Sequence, residues 1–81
     1  MPVVFRYRGY RFFFFSNEGN PLEPCHIHVR KGDALAKIWI CPEVRLAHNY
    51  SFSSSELRHI LQVVSEHTAL IEEKWNEYFS I

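Results

Sequence analysis

The sequence lacks a long hydrophobic run. None of its apolar stretches approaches the ~18 residues that a membrane-spanning helix requires, so we expect no membrane segment. The N-terminal segment, MPVVFRYRGYRF, carries arginines where a secretion signal would have its apolar core. We therefore expect a cytoplasmic protein that is made without an export signal.

Cysteine is scarce, and this excludes a small scaffold held together by many disulfides. The chain has only Cys25 and Cys41, which could pair in principle. In the reducing compartment expected here, two thiols are more typical than one disulfide.

An excess of either charge is also absent. The formal net charge is zero, whereas a dedicated nucleic-acid-binding domain often has a pI above about 9. The charges are nevertheless unevenly spread. Residues 1–31 hold five cations and two carboxylates, a net charge of +3, and residues 32–81 hold four cations and seven carboxylates, a net charge of −3. This division predicts either a polarised surface or two halves that attract each other within the fold.

What the chain does have is apolar and aromatic content. Its 81 residues are 47% hydrophobic and 16% aromatic, which is typical of a folded domain, and we expect one domain over residues 1–81. A domain of this size buries only about 60–65% of its unfolded surface. We therefore expect it to self-associate as a homo-oligomer or to bind a partner.

The first strands are predicted by the aromatic stretch at residues 3–16. Arg8-Gly9 suits the turn of a hairpin, which would place Tyr7 opposite Tyr10, Phe5 opposite Phe12 and Val4 opposite Phe13. Arg6 would then face Arg11, and two like charges in direct opposition are unfavourable. Either an acidic side chain from the C-terminal half or a bound anion could compensate for this repulsion.

The remaining elements follow from local patterns. Residues 17–24 are predicted to form an exposed loop, 26–30 and 35–40 to form strands, and 43–47 to form a short strand at most. Ser53 and Glu56 have the spacing of a capping box, and apolar residues keep helical spacing through residue 78. One helix over 54–79 would be about 39 Å long. Because a domain of this size has a radius of gyration near 12 Å, we expect a break at Glu66-His67-Thr68.

These elements predict an α+β fold. A mostly antiparallel sheet of about four strands, within residues 1–47, would be followed by one broken helix or two separate helices within residues 53–79. We expect the helices to pack on one face of the sheet.

The densest chemistry lies in the stretch EPCHIHVRKGD, residues 23–33. Side chains alternate between the two faces of a strand, so His26, His28 and Arg30 should share one face. Cys25, Ile27 and Val29 should share the other face, which belongs in the core. Because burying a guanidinium is costly, we expect the face with the histidines to meet solvent or a ligand.

Several functions are compatible with this face. His26 and His28 could be the acid and base of a metal-independent ribonuclease, with Arg30, Lys31 and Arg11 stabilising phosphate charge. Alternatively the face could recognise a partner protein or RNA through Arg6, Arg11, Arg30 and Lys31, or the histidines could simply cover the sheet. An open, concave site around the histidines would favour an enzyme, and a flat or covered face would favour a binding module.

A metal site is the weakest of these hypotheses. A His-x-His pair can supply two ligands to one ion. The third ligand would have to come from Glu18, Glu23, His48 or Cys41 through the fold, and Arg30 would repel the cation. We therefore expect neither a tightly bound metal nor another cofactor.

The order of the motifs resembles a known family. MPVVFRYRGYRFFFFSNEGN is followed by P-x-H-I-H-V-R-K-G, A-K-I-W, FSSSELRHI and W-N-E-Y-F, and together they resemble the small bacterial family called domain of unknown function 4160. The resemblance runs from Met1 to Phe79, and its most specific part is the segment Pro-x-His-x-His-Val. Family members often have a second proline at the position of Cys25, a departure that makes a role for Cys25 less expected.

The resemblance implies a partner rather than a reaction. Members are commonly encoded beside another small family, domain of unknown function 2442, in pairs that suggest toxin–antitoxin modules. We therefore expect this chain to be one component of a two-protein, toxin–antitoxin-like module and to bind a small partner protein. An alternative form of the hypothesis adds RNA as a second ligand. Whether it is an enzyme stays open.

Overall fold

The structure is a computed structural model that describes residues 3–15 and 23–79. Within these residues the chain forms a five-stranded sheet followed by two helices. In chain order the elements are β1 (Val3–Tyr7), β2 (Tyr10–Phe13), β3 (His26–Lys31), β4 (Ala34–Trp39), β5 (Arg45–Tyr50), α1 (Ser54–Glu66) and α2 (Thr68–Phe79). The strands lie in the order of the sequence and every neighbouring pair is antiparallel. The predicted α+β class is confirmed.

The hairpin of β1 and β2 forms around the predicted turn. Arg8 and Gly9 both have positive φ, 48° and 85°, as a type I′ turn requires. The predicted opposition of Tyr7 to Tyr10, and of Arg6 to Arg11, is confirmed. The last predicted pair is wrong. A β-bulge between Val3 and Phe5 shifts the register, so that Val3 rather than Val4 lies opposite Phe13.

The fifth strand corrects the expectation of about four strands. β5 begins later than the short strand considered at 43–47 and continues to Tyr50, so the sheet extends beyond residue 47. Most of its residues are exposed because it is an edge strand. It therefore lacks the apolar alternation by which a half-buried strand is recognised. The loop predicted at 17–24 lies largely outside the described residues.

An N-terminal cap and a break set the boundaries of the two helices. The Ser53 side chain accepts a hydrogen bond from the Glu56 backbone N–H, and the Glu56 carboxylate accepts one from the Ser53 backbone N–H, which confirms the capping box. The predicted break is also confirmed, at His67. Its ring donates a hydrogen bond to the Val63 carbonyl at 2.7 Å and stacks on Phe5. The radius of gyration is 11.8 Å.

The core lies between the helices and one face of the sheet. Ile27 and Val29 of β3 are fully buried there, as predicted from the alternation in β3. The other buried residues of this layer include Phe12, Ala36, Ile38, Ile60, Val63, Val64, Ile71 and Trp75. Neither helix is long and apolar enough to span a membrane, in the part of the chain that is described. The opposite sheet face carries His26, His28 and Arg30, and we call it the polar face.

Candidate functional site

The two histidines share the polar face of β3 but are not open to solvent. His28 lies opposite Phe13 of β2, and His26 lies opposite Trp39 of β4, so all four side chains are on one side of the sheet. His26 is 0% exposed and His28 is 5% exposed. The shared face is as predicted. Of the expectation that the face meets solvent or a ligand, the first alternative is wrong at the histidines, and the second stays a prediction.

Aromatic rings account for this burial. The His26 ring lies 5.3 Å from Trp39 and 5.0 Å from Trp75, which reaches it from α2. The His28 ring lies 4.2 Å from the Phe15 ring, measured between centroids as for the other pairs. The signal was present in the sequence, because strand alternation places Phe13, Phe15 and Trp39 on the same side as the histidines.

A hydrogen bond fixes the ring of His26. Its Nδ1 lies 2.9 Å from the Pro24 carbonyl oxygen, which can only accept, so Nδ1 carries the proton. A neutral, hydrogen-bonded imidazole is buried at far lower cost than a guanidinium. In this arrangement the histidines do not line the open, concave site that the ribonuclease hypothesis requires. The catalytic roles of His26 and His28 stay untested predictions.

Arginines form a row across the polar face. In the sheet register Arg6 lies opposite Arg11, and Arg11 lies opposite Arg30. Three consecutive strands thus each contribute one guanidinium at the same level. The row continues through Leu35 of β4 to Tyr50 of β5, whose side chain is 60% exposed. We call Arg6, Arg11 and Arg30 the arginine row.

Among the described residues, no carboxylate of the acidic half forms an ion pair with the arginine row. Between described residues the ion pairs are Lys37–Glu23 at 3.1 Å and Lys74–Glu77 at 3.7 Å, and neither contains an arginine of the row. The carboxylates of the helices lie in the layer on the opposite side of the sheet. The compensating acidic side chain from the C-terminal half, expected above as one explanation for the Arg6–Arg11 pair, is therefore not found among the described residues.

This chain matches a family model over residues 9–76, the family described as Domain of unknown function (DUF4160). The chain belongs to DUF4160. The matched range contains Arg11, Arg30 and both histidines, and Arg6 precedes it. No curated protein and no solved structure matches the chain significantly. The family description assigns no activity, so the function of this DUF4160 chain has to be argued from its surface.

Lys31 is not part of the arginine row. It follows Arg30 on β3 and therefore points to the other side of the sheet. Its Nζ lies 4.7 Å from the centre of the Tyr10 ring. Its charge also helps to lower the pKa of the Glu56 carboxyl, after the larger effect of the hydrogen bond from the Ser53 backbone. Lys31 and Arg30 therefore lie on opposite faces of β3, and the binding role of Lys31 stays a prediction.

Lys37 also lies on the polar face but, unlike the arginines of the row, it has a carboxylate partner. It lies opposite His28 in the register, pairs with Glu23 and places its Nζ 4.4 Å from the centre of the Trp39 ring. Glu23, considered above as a metal ligand, is therefore engaged by Lys37. No group of three or more His, Cys, Asp or Glu side chains among the described residues is arranged to hold a metal ion.

Proposed function

We propose that this DUF4160 chain is a non-enzymatic binding subunit of a two-protein module. Its arginine row would hold an acidic segment of a small partner protein. The observation that carries the proposal is the juxtaposition of Arg6, Arg11 and Arg30 on three neighbouring strands. The toxin–antitoxin-like character of the module is part of the proposal.

The spacing of the row concentrates positive charge. Neighbouring strands are about 4.8 Å apart, so the three arginine positions span roughly 10 Å. Like charges placed directly opposite each other destabilise a sheet. Arg6 is exposed, and Arg11 and Arg30 are half-buried, so all three can be reached from solvent. A ligand with several negative charges would relieve the repulsion while binding.

The chemistry of the row favours carboxylates on a folded surface. Guanidinium groups hold carboxylates through two parallel hydrogen bonds, and their planar geometry adds specificity. In the sheet register the row is followed by the apolar Leu35 and the exposed aromatic Tyr50. Arginine and tyrosine are enriched at the centres of protein–protein interfaces. We therefore favour a partner protein that presents several Asp or Glu side chains beside an apolar residue.

The partner in this proposal is a small protein encoded beside this chain, and the test is its binding. Both proteins are purified, and calorimetry measures Kd for wild type and for Arg11→Glu, the central position of the row. We expect the variant to bind at least about tenfold more weakly, which corresponds to ~1.4 kcal/mol. The matched control is Arg58→Glu, a charge reversal at an exposed position of α1. It should leave Kd within about twofold, since exposed substitutions outside an interface have small effects.

Stability separates an interface role from a structural one. Arg11→Glu replaces a cation that lies between two others, so we expect its melting temperature to stay equal or to rise. Weaker binding with unchanged stability supports the proposal. Unchanged binding by Arg11→Glu would remove the row from the interface. Failure of the wild-type chain to bind its neighbour at all would overturn the two-protein module.

A further inference from the structure

The outer side of β1 combines one end of the arginine row with the open edge of the sheet. Among the described residues, β1 is the first strand of the sheet and pairs only with β2. Its Arg6 is exposed and is the outermost member of the arginine row. An edge strand presents backbone N–H and C=O groups that can pair with another extended chain. We call this outer side of the strand the β1 edge.

The hairpin turn decides which backbone groups of β1 point outward. Residues 8–9 form a two-residue turn, so Tyr7 and Tyr10, which close it, are a hydrogen-bonded pair. Opposed residues of antiparallel strands alternate between hydrogen-bonded and non-hydrogen-bonded pairs. The next pair, Arg6 and Arg11, is therefore a non-hydrogen-bonded one. The N–H and C=O groups of Arg6 consequently point away from β2 and lie at the β1 edge.

Arg6 thus offers two kinds of contact at one position. Its guanidinium can hold a carboxylate through two parallel hydrogen bonds, and its backbone groups can join the ladder of an added strand. The residue beside Arg6 on such a strand would lie about 4.8 Å away and project from the same face. An Asp or Glu at that place would extend the row by one strand and offset the repulsion between Arg6 and Arg11.

An apolar cavity lies beside the other end of β1. Its volume is about 500 Å³. Two of its lining residues, Val3 and Tyr78, are 39% and 43% exposed although both are large and hydrophobic. Exposed apolar side chains around a cavity are typical of an interaction site. The lining comes from the start of β1, the residue after β2 and the end of α2, and consists of Val3, Val4, Phe14, Lys74, Glu77 and Tyr78.

One extended segment can reach both Arg6 and the cavity. Val3 and Arg6 are three positions apart in the chain, which is roughly 10 Å along a strand. Because successive side chains of a strand point to opposite faces, an acidic residue beside Arg6 and an apolar residue directed toward α2 require an odd spacing. The β-bulge between Val3 and Phe5 limits regular pairing to residues 5–7. The added strand is therefore short, and its side chains are important for its affinity.

We propose that the acidic segment of the partner protein binds as an added β-strand along the β1 edge. It places an Asp or Glu beside Arg6 and an apolar side chain in the cavity lined by Val3 and Tyr78. This inference rests on the proposed function, because it specifies how the partner of the arginine row is held. A second copy of this chain is a poorer occupant, since its own β1 has an arginine and no carboxylate to bring to Arg6.

The experiment is amide hydrogen exchange, followed for single residues by NMR, in the full chain alone and bound to a small protein encoded beside it. We expect the Arg6 amide to exchange at least about tenfold more slowly in the complex, because it joins a hydrogen-bonded ladder. The amides of β5, the opposite edge of the sheet, are the internal control and should keep their rates.

The exchange rates distinguish this inference from the proposed function. Calorimetry on the same samples shows whether the complex forms. An unchanged rate at Arg6 in a complex that has formed, or slower exchange only in β5, would overturn the strand addition and leave the binding subunit in place. Absence of any complex would overturn both. Slow exchange at Arg6 that appears in the free chain as its concentration rises would assign the β1 edge to a second copy and also contradict the inference.

Two substitutions at Arg6 separate the side chain from the backbone. Arg6→Ala removes the guanidinium and keeps the N–H, whereas Arg6→Pro removes both, and proline is tolerated on an edge strand where the N–H points outward. We expect Arg6→Pro to bind the partner at least about tenfold more weakly than Arg6→Ala in calorimetry. Melting curves establish that both variants are folded, and the exchange rates of wild type need no variant. Equal affinities of the two folded variants would overturn the strand addition.

Discussion

His26, His28 and Arg30 alternate along one face of one strand, yet their surroundings differ. Aromatic rings enclose the histidines, whereas the neighbours of Arg30 in the register are Arg11 and Leu35. An imidazole can be neutral and hydrogen-bonded inside such a cluster, but a guanidinium is always charged. At the level of single residues, the polar face therefore consists of an enclosed part and a basic part.

Glu56 is the residue whose titration should affect stability. The hydrogen bond from the Ser53 backbone N–H, opposed by partial burial, lowers the pKa of the Glu56 carboxyl in the folded chain. A lowered folded-state pKa stabilises the fold above the unfolded-state pKa, near 4.3, and this stabilisation is lost as the pH falls through the folded-state pKa. We expect urea unfolding to show a smaller loss of stability between about pH 6 and pH 3 for Glu56→Gln than for wild type.

Glu56→Gln is suited to this test because glutamine also completes a capping box. The variant should therefore keep α1 and lose only the titration. Identical pH profiles for the two proteins would show that the Glu56 carboxylate does not contribute to acid sensitivity.

The face of the sheet on which a side chain lies could be predicted from the sequence more easily than the exposure of that side chain. The Arg8-Gly9 turn fixes the register of β1 and β2, and strict alternation then assigns His26, His28 and Arg30 to one face. Exposure depends on which side chains arrive from other elements. Trp75 contacts His26 from α2 and lies 49 positions after it in the chain, and no local pattern in the sequence contains that contact.

Among the elements, α1 is defined by its cap. The first N–H groups of a helix lack partners within the helix. Here the Ser53 hydroxyl accepts a hydrogen bond from the Glu56 N–H, and the Glu56 carboxylate accepts one from the Ser53 N–H. At the other end His67 interrupts the helical stretch and lets α2 change direction. The break lets 25 helical residues, 13 in α1 and 12 in α2, fit within a molecule 34 Å long.

Ser53→Ala should destabilise the protein by about 1 kcal/mol, the usual effect of losing an N-cap side chain. The matched control is Ser55→Ala, which changes the same residue type at an exposed position inside the first turn of α1. Its stability should stay equal or rise slightly, since alanine favours helix. Chemical unfolding measures both. Equal losses for the two variants would contradict the importance of the cap.

Elements whose own residues form a recognisable pattern could be predicted from the sequence, whereas the full extent of β5 could not. The capping box and the apolar spacing of the helices both arise within the segment itself. The residues of β5 are mixed in polarity because the strand lies at the edge of the sheet, and its place there is set by pairing with β4. The two backbone hydrogen bonds that join Cys25 to Ile40 and Cys41 are likewise a property of two paired segments, so they could not be predicted from the sequence.

At the scale of the whole molecule, the sheet separates a layer with positive charge from a layer with mostly negative charge. The arginine row lies on one side of the sheet, and the helices on the other side carry five carboxylates and two cations. Such a distribution attracts an acidic partner to one side and repels it from the other, so it orients the approach. The exposed Tyr50 and Leu46 of β5 add apolar surface at the sheet edge. Self-association through such surface stays a prediction.

This layering also predicts a poor match to RNA, the other class of anionic partner. Three clustered cations on a chain with zero net charge offer little counterion release, and log K should change by only about −2 per decade of salt. We expect a Kd weaker than ~100 µM for a labelled single-stranded RNA at about 150 mM salt, measured by fluorescence anisotropy. The RNA should also stay intact, because His26 and His28 are enclosed. Submicromolar binding lost in Arg11→Glu but kept in Arg58→Glu would make RNA the partner, and cleavage lost in His28→Ala would restore the ribonuclease hypothesis.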